Sequence, residues 1–310
     1  MDGTLLPSSG GPISQRTRAA LRAAEAQGIE IVIATGRRHA FATPWIQPLG
    51  LRKNGVVISS NGAVTRGFDR ELLDRQFLEI ETARRLCCQM RGYGTLVFTF
   101  DREDPGALVI ENLNCFDKRL AGWVEANRAH LTAIAPIERA FDSGEAPIQG
   151  MFGGSLRKMK EIQESLLAGE LGSRLSMHRT EYADRDLCIL DLLPLGCSKG
   201  TALEALARRR GLDREEIMAI GDNLNDFEML AYAGRGVLMA NAGDEMLALA
   251  GERGWELTGS CDEDGVAQIV ETLLRNGQTL LHNAPNVPAN SPEGGSEAFR
   301  SEDKIAEWAR

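Results

Sequence analysis

A short segment of the sequence places two carboxylates and an amide directly after an apolar run. Ile217–Ile220 has the length of a buried strand, and a predicted helix ending at Gly234 follows it. Asp222, Asn225 and Asp226 lie at the junction. Mg²⁺ prefers such oxygen ligands, and in open α/β sheets ligands bind beyond the carboxyl ends of the strands. The segment therefore predicts a magnesium site, although Asn and Asp are also ordinary helix N-caps.

Two further polar positions are suited to holding a phosphate group. Thr35 follows the apolar run Ile29–Ala34, so its hydroxyl and the next backbone N–H groups could bind a phosphate oxygen or cap the next helix. Lys199 lies in the first turn of a predicted helix that ends near Arg210, where a positive charge opposes the helix dipole. This placement favours a lysine that faces an anion over one that only belongs to the surface.

Predicted strands and helices alternate at both ends of the chain, which is typical of a doubly wound parallel sheet. Ser14–Gln27 reads as a helix, and the nearly continuous apolar run after it is typical of a strand covered on both faces. From about Glu81 the pattern changes to mixed strands and helices. Beyond Gly277, Asn, Pro, Gly, Ser and Glu dominate, so the composition predicts a disordered tail over residues 277–310.

The order of the polar motifs along the chain resembles that of the haloacid dehalogenase-like hydrolases, and more closely their Cof-type sugar-phosphate phosphatase branch. The motifs are Asp2-Gly3-Thr4, Thr35-Gly36-Arg37, Asn61-Gly62-Ala63, Ser198-Lys199-Gly200 and Gly221 to Asp226. The resemblance covers residues 1–275. It implies an α/β fold with a doubly wound, mostly parallel, Rossmann-like core formed by residues 1–80 and 186–276. An α/β cap domain, residues 81–185, would be inserted into this core.

The resemblance also implies roles for single residues. Asp2 would be the general acid and base, and Lys199 would orient the nucleophile and the phosphate. The implied phosphate-binding residues are Gly3, Thr35, Gly36, Lys199 and Asn225, and the implied Mg²⁺ ligands are Asp2, Asp222, Asn225 and Asp226. Arg37 and Asn61 would contact the substrate. Four cap residues either face the substrate or belong to the surface of a cap strand: His178, Arg179, Glu181 and Tyr182.

The first motif departs from the pattern of the family, where it reads Asp-x-Asp-Gly-Thr and its first Asp is the nucleophile. Met1 occupies the middle position here, so the nucleophile and the strand before it would precede Met1. We expect a start codon assigned too late, and the alternative is a truncated, inactive protein. The expected activity is Mg²⁺-dependent hydrolysis of sugar phosphates or similar small phosphate monoesters through an aspartyl-phosphate intermediate. A phosphomutase on the same fold and a non-catalytic phosphometabolite-binding protein remain open.

Charge and composition restrict the partners of the protein. The 310 residues carry a net charge of −9, which argues against nucleic acid as the main partner and leaves a small phosphorylated metabolite. No apolar run is long enough to span a membrane, and no signal peptide is visible. The six cysteines show no zinc-binding spacing, which favours reduced thiols in a cytoplasmic protein. We expect a monomer or a weak homodimer.

Overall fold

The computed structural model of the protein describes residues 1–52, 55–102 and 106–282, with side chains as far as residue 276. The strands are β1 Val32–Ala34, β2 Val56–Ser59, β3 Val64–Gly67, β4 Leu72–Arg75, β5 Val97–Thr99, β6 Leu108–Ile110, β7 Leu131–Ala133, β8 Gln149–Gly154, β9 Leu175–Tyr182, β10 Leu187–Pro194, β11 Met218–Gly221, β12 Arg235–Met239 and β13 Glu256–Thr258. The helices are α1 Gln15–Ala26, α2 His39–Ile46, α3 Ile80–Gln89, α4 Ala121–Asn127, α5 Leu156–Ala168, α6 Lys199–Arg210, α7 Phe227–Tyr232, α8 Asp244–Arg253 and α9 Gly265–His282.

The core contains two sheets with parallel pairing. In the first sheet, ordered β1-β2-β3-β4, β1 and β2 are parallel, and β3 and β4 form an antiparallel hairpin. In the second sheet, β11, β12 and β13 are all parallel. Apart from the β2–β3–β4 connections, the core strands are therefore joined through helices, as the alternation in the sequence predicts.

Side chains alternate between the two faces of these sheets, and helices cover both faces. Ile33, Val237 and Met239 share one hydrophobic cluster with residues of α1, α2 and α9. Ala34 and Leu238 share the other cluster with residues of α6, α7 and α8. Both sheets contribute to both clusters. These observations confirm the predicted doubly wound, mostly parallel α/β architecture.

The residues between these core segments form a six-stranded, mainly antiparallel sheet ordered β7-β6-β5-β8-β10-β9. Phe98 and Phe152 are fully buried in its largest hydrophobic cluster, to which α3 and α5 also contribute. The predicted boundaries at residues 80 and 185 remain a prediction. The predicted core segment 186–276 begins with the strand Leu187–Pro194, but this strand lies in the six-stranded sheet. The reason is its register, because it forms a full antiparallel ladder with β9 and a second ladder with β8.

The chain divides into a compact unit, Met1–Leu274, and a second unit, Arg275–Arg310. Within the second unit the structure describes the last turns of α9, which continues to His282 and so extends into the range predicted as a tail. The rest of the predicted disordered tail, residues 283–310, lies outside the described residues. Among the described helices, none combines the length and the apolar character that crossing a membrane requires.

Candidate active site

Residues from four of the five motifs line one cavity of about 320 Å³. Thr35 follows β1 and Asp222 follows β11, so both lie at the carboxyl ends of parallel strands. The six-stranded sheet contributes the opposite wall. The residues that line the cavity include Asp2, Thr35, Gly36, Arg37, Arg38, Leu108, Trp123, Gln149, Met151, Thr180, Tyr182, Asp191, Lys199, Asp222, Asn223, Asn225 and Asp226.

Lys199 and Asp226 form an ion pair in the floor of the cavity. The Nζ atom of Lys199 lies 2.7 Å from Oδ1 of Asp226, and both side chains are almost fully buried. The N-cap Ser198 fixes the start of α6, because its hydroxyl accepts a hydrogen bond from the backbone N–H of Thr201 at 3.1 Å. Burial alone would raise the pKa of Asp226, but the adjacent Lys199 ammonium outweighs that effect and holds the pKa below its ordinary value. The structure therefore places Lys199 at the cavity as an internal charge.

Asp222 is a buried carboxyl group that forms no ion pair with a described side chain. Its Oδ1 atom accepts a hydrogen bond from the Thr4 hydroxyl at 2.5 Å. Burial, together with the negative charge of Asp226, raises the pKa of Asp222 to about 7. Gly3 makes the close packing possible, since its φ is +69° and an added Cβ would lie 2.1 Å from Oδ2 of Asp222. Gly3 thus supports Asp222, and it does not line the cavity.

The predicted Mg²⁺ ligands Asp2, Asp222, Asn225 and Asp226 do not form one cluster of side-chain ligands. No group of three or more His, Cys, Asp or Glu side chains suited to a metal occurs among the described residues. Asp226 already uses Oδ1 for Lys199 and Oδ2 for the backbone N–H of Asp222, at 3.1 Å. Asp222 remains, because its Oδ2 atom accepts no hydrogen bond from the described residues. Mg²⁺ commonly takes only one or two protein carboxylates, so this donor set fits the ion.

Asp2 is paired with Arg37, the residue predicted to contact the substrate. The Nε atom of Arg37 donates to Oδ2 of Asp2 at 2.9 Å, and its Nη2 atom donates to Oδ1 at 2.5 Å. Burial works to raise the pKa of Asp2, but the hydrogen bonds from Arg37 prevail and hold it below its ordinary value. The backbone N–H of Arg37 also donates to the Thr35 hydroxyl at 3.1 Å. Arg37 therefore positions Asp2, and both residues line the cavity.

Asn61 lies behind the cavity wall and connects the loop after β2 to two other motifs. Its backbone is in the left-handed region at φ +52°, and only 1% of the residue is exposed. Its Oδ1 atom accepts from Nδ2 of Asn225 at 3.0 Å, and Asn225 also donates to the Thr180 hydroxyl at 2.9 Å. Gly36 packs against the Asn61 amide, since a Cβ at Gly36 would lie 3.1 Å from its oxygen. The structure gives Asn61 a supporting position, and Gly36 and Asn225 line the cavity.

Sequence reasoning did not identify Asp191, which lies on β10 and lines the cavity. Its Oδ2 atom accepts from Nδ2 of Asn61 at 2.7 Å, and its Oδ1 atom accepts from Nε2 of Gln149. Burial raises the pKa of Asp191 to about 7, against the effect of the Gln149 hydrogen bond. One signal for this residue was present, because Asp191 is the one charged residue in the apolar run from Leu187 to Leu193.

Of the four cap residues named from the sequence, the cavity lining includes Tyr182. Burial, with Asp2 nearby, raises its pKa. The other three have protein partners. Nε2 of His178 lies 3.0 Å from the carbonyl oxygen of Cys197, and Nη1 of Arg179 lies 2.9 Å from Oε1 of Glu181. The alternation along β9 brings Thr180 and Tyr182 to the cavity, and single-sequence reasoning could not fix that register.

Asn223 joins the six-stranded sheet to the loop of the core that carries Asp222. Its Nδ2 atom donates to the backbone carbonyl of Glu181 at 2.8 Å, and its Oδ1 atom accepts from the backbone N–H of Glu181 at 3.1 Å. The same oxygen accepts from the N–H of Leu224 at 2.9 Å. One amide side chain therefore satisfies both backbone groups of a cap residue and fixes the cap wall against the loop.

A six-stranded sheet between two segments of a doubly wound core, with carboxylates of the core loops at their shared cavity, is the arrangement expected of a haloacid dehalogenase-like hydrolase. A sequence model of the haloacid dehalogenase-like hydrolase family matches residues 1–270, so the chain belongs to that family. The match includes every motif residue discussed above.

The chain is similar to curated proteins over nearly their whole length. It is 31% identical to Phosphatase YwpJ of Bacillus subtilis, over 88% of this chain and 98% of that protein. It is 29% identical to the HMP-PP phosphatase of Serratia proteamaculans, over 89% of this chain and 94% of that protein. Among solved structures, a haloacid dehalogenase-like hydrolase from B. subtilis has a TM-score of 0.71 at 25% identity and covers 87% of this chain and 96% of its own.

Proposed function

We propose that the protein is a Mg²⁺-dependent phosphatase that hydrolyses small phosphate monoesters, such as sugar phosphates. The observation that carries the proposal is the convergence of Thr35, Lys199 and Asp222 on one cavity. Family membership and relatives named as phosphatases support it. The volume of about 320 Å³ is at the lower end of the range for ligand pockets, which favours a small substrate.

Each of these residues can do a distinct part of phosphoryl transfer. Lys199 has three N–H donors and uses one for Asp226, so the ammonium can also contact a phosphate oxygen. Thr35 lines the same cavity, and its hydroxyl can bind a second oxygen. Asp222 would hold Mg²⁺, which would neutralise part of the phosphate charge when bound. Asp226 would keep Lys199 in place and hold the loop of Asp222.

Asp2 would donate a proton to the leaving alcohol and would then take a proton from the attacking water. In the structure Arg37 keeps this carboxylate ionised, which suits it to accept a proton. Donation to an alcohol would require Arg37 to give up at least one of its two hydrogen bonds. An anionic substrate could cause this change, because it would attract the Arg37 guanidinium away from Asp2.

The proposed route passes through an aspartyl-phosphate, which requires a carboxylate in line with phosphorus. In the family pattern Asp-x-Asp-Gly-Thr this carboxylate is the first Asp, two positions before the Asp that Asp2 matches. The wall formed by the cap would exclude water and contact the leaving group, since Leu108, Trp123 and Met151 give it an apolar surface.

The test measures release of inorganic phosphate from p-nitrophenyl phosphate and from a panel of sugar phosphates, with and without Mg²⁺. It uses the chain as printed and a form extended upstream so that an aspartate precedes Met1. We expect Mg²⁺-dependent turnover by the extended form, and its loss in Asp222→Asn but not in the exposed control Asp184→Asn. Turnover without metal would contradict the proposal, and an isomerised ester in place of inorganic phosphate would show a mutase. Binding of these esters without turnover by the extended form would show a binding protein.

A further inference from the structure

A second, smaller cavity of about 40 Å³ lies beside the first. Its lining includes Arg38 and Ser60 from the core and Arg102, which follows β5. Arg38 lines both cavities, so a molecule in the larger cavity can reach this side chain from the other side. A volume of about 40 Å³ holds roughly three water-sized groups, which is the size of a carboxylate group.

Four buried donor atoms of these three residues have no hydrogen-bond partner among the described residues. They are Nε and Nη2 of Arg38, Nε of Arg102 and Oγ of Ser60. Ser60 is 1% exposed, so its hydroxyl cannot turn to bulk solvent. Buried polar groups are almost always hydrogen-bonded, and a group without a partner commonly marks a site for a water, an ion or a ligand. Four such donors around one cavity therefore indicate a missing acceptor.

The carboxylates that the structure describes near this cavity are already paired with arginines. Oδ2 of Asp101 accepts from Nη2 of Arg66 at 2.7 Å and from Nη1 of Arg75 at 2.9 Å. Arg102 has a carboxylate 3.6 Å away in Glu145, but both of these side chains are more than one-third exposed. Arg38 forms no ion pair within the described part of the chain. Its burial lowers its pKa to about 10, which reflects the cost of an unpaired internal charge.

Aromatic rings hold both guanidinium groups in place. The guanidinium carbon of Arg38 lies 4.8 Å from the centroid of the Phe41 ring, and that of Arg102 lies 4.7 Å from the Phe100 ring. An arginine held in this way keeps its N–H edge available for a planar oxyanion. The two side chains are also adjacent, because Nη1 of Arg38 donates to the backbone carbonyl of Arg102 at 3.5 Å.

We propose that Arg38, Ser60 and Arg102 form an oxyanion subsite that binds a carboxylate of the substrate. This inference rests on the proposed phosphatase function and narrows its substrate to phosphorylated carboxylic acids. The phosphate would occupy the larger cavity, and the carboxylate would enter the smaller cavity past Arg38. A second phosphate has five heavy atoms and would need side chains to move apart.

Two pairs of ligands that differ only at the carboxylate test the proposal by titration calorimetry, without turnover. The pairs are 3-phosphoglycerate with glycerol 3-phosphate, and 6-phosphogluconate with glucose 6-phosphate. We expect the carboxylate to tighten binding about tenfold in at least one pair, the effect of one charge-assisted hydrogen bond. Arg102→Gln and Ser60→Ala should remove this preference. Arg157→Gln, at a side chain that is 90% exposed, should retain it.

Equal affinity within both pairs, or a preference that survives in Arg102→Gln and Ser60→Ala, would overturn the subsite. Failure of all four ligands to bind would instead contradict the phosphate site, and a direct anion probe then decides the subsite alone. Crystals of the full chain soaked in bromide should show an anomalous peak between Arg38 and Arg102, absent in Arg102→Gln. No peak there in the unmodified protein would refute the subsite, whatever the phosphate esters do.

Discussion

Asp191→Asn should change how the stability of the protein depends on pH. Burial raises the pKa of Asp191 from an ordinary 3.8 to about 7. A difference of roughly 3 pKa units corresponds to about 4 kcal/mol at about 1.4 kcal/mol per unit. Because only 4% of the residue is exposed, little of this energy is lost to solvent screening. This figure is an upper bound on the pH-dependent change in the free energy of unfolding that one carboxyl group causes.

The sign follows from where the proton binds more tightly. The folded state keeps the proton on Asp191 up to about pH 7, whereas the unfolded chain loses it near pH 3.8. The free energy of unfolding therefore falls as pH rises between these values and is level above them. From pH 5 to pH 8 the loss amounts to about 3 kcal/mol. An asparagine does not titrate, so the variant does not have this loss.

The variant also has a cost that is independent of pH. Asp191 accepts hydrogen bonds from the side-chain amides of Asn61 and Gln149, and an asparagine offers only one acceptor oxygen to them. One donor would face another donor until an amide rotates, which costs about 1–3 kcal/mol. Urea unfolding followed by circular dichroism at pH 5, 6, 7 and 8 separates this constant cost from the pH-dependent gain.

We expect the difference in unfolding free energy between variant and unmodified protein to shift by about 3 kcal/mol in favour of the variant from pH 5 to pH 8. Other titrating groups occur in both proteins and cancel in the difference. The control Asp184→Asn, at a side chain that is 76% exposed, should give a curve parallel to that of the unmodified protein. A difference that stays constant for Asp191→Asn would refute the reasoning, because the carboxyl group would then titrate normally in the folded state.

Three further predictions concern the loops and the floor of the site. Lys199→Met should lower the free energy of unfolding by about 3–5 kcal/mol, because the buried carboxylate of Asp226 loses its cation. A decrease below about 1 kcal/mol would contradict the buried ion pair. Gly62→Ala should lower Tm far more than Gly10→Ala. Both glycines have positive φ, but a Cβ at Gly62 would lie 2.1 Å from a backbone carbonyl oxygen, whereas at Gly10 it meets nothing within 4 Å. Asn223→Ala should speed hydrogen exchange of the Glu181 amide, measured by mass spectrometry. Unchanged exchange would rule out the hydrogen bonds between the Asn223 side chain and the Glu181 backbone.

The core loops of the site could be predicted from the sequence because one physical rule applies to them. In open α/β sheets ligands bind beyond the carboxyl ends of parallel strands, and the polar residues after β1 and after β11 occupy this position in their two sheets. Thr35 and Asp222 follow apolar runs that are easy to recognise, and Lys199 opens a helix with a clear N-cap. The hydrogen-bond partners of the site residues could not be predicted in the same way. The pairing of Asp2 with Arg37, for example, depends on side-chain rotamers.

The cap wall was less predictable, since its strands are antiparallel and their facing depends on register. A shift of one residue along β9 would exchange Thr180 and Tyr182 for Arg179 and Glu181. The sequence contains both sets and does not choose between them. Arg38 and Arg102 illustrate the same limit. Only the tertiary structure shows that two arginines from distant loops share a cavity in which no described carboxylate pairs with Arg38.

The charges in the larger cavity also bear on the need for a metal. Two of its cationic side chains, Lys199 and Arg37, are already paired with the carboxylates of Asp226 and Asp2, and Arg38 lines the cavity as a third cation. Asp222 then adds a negative charge whenever it is ionised, so a phosphate dianion would enter a site with no excess of positive charge. Repulsion between the phosphate and the carboxylates of the cavity costs more free energy in a partly dry cavity than in water. A divalent cation on Asp222 would reverse this balance, and phosphate should therefore bind far more tightly with Mg²⁺ than without it.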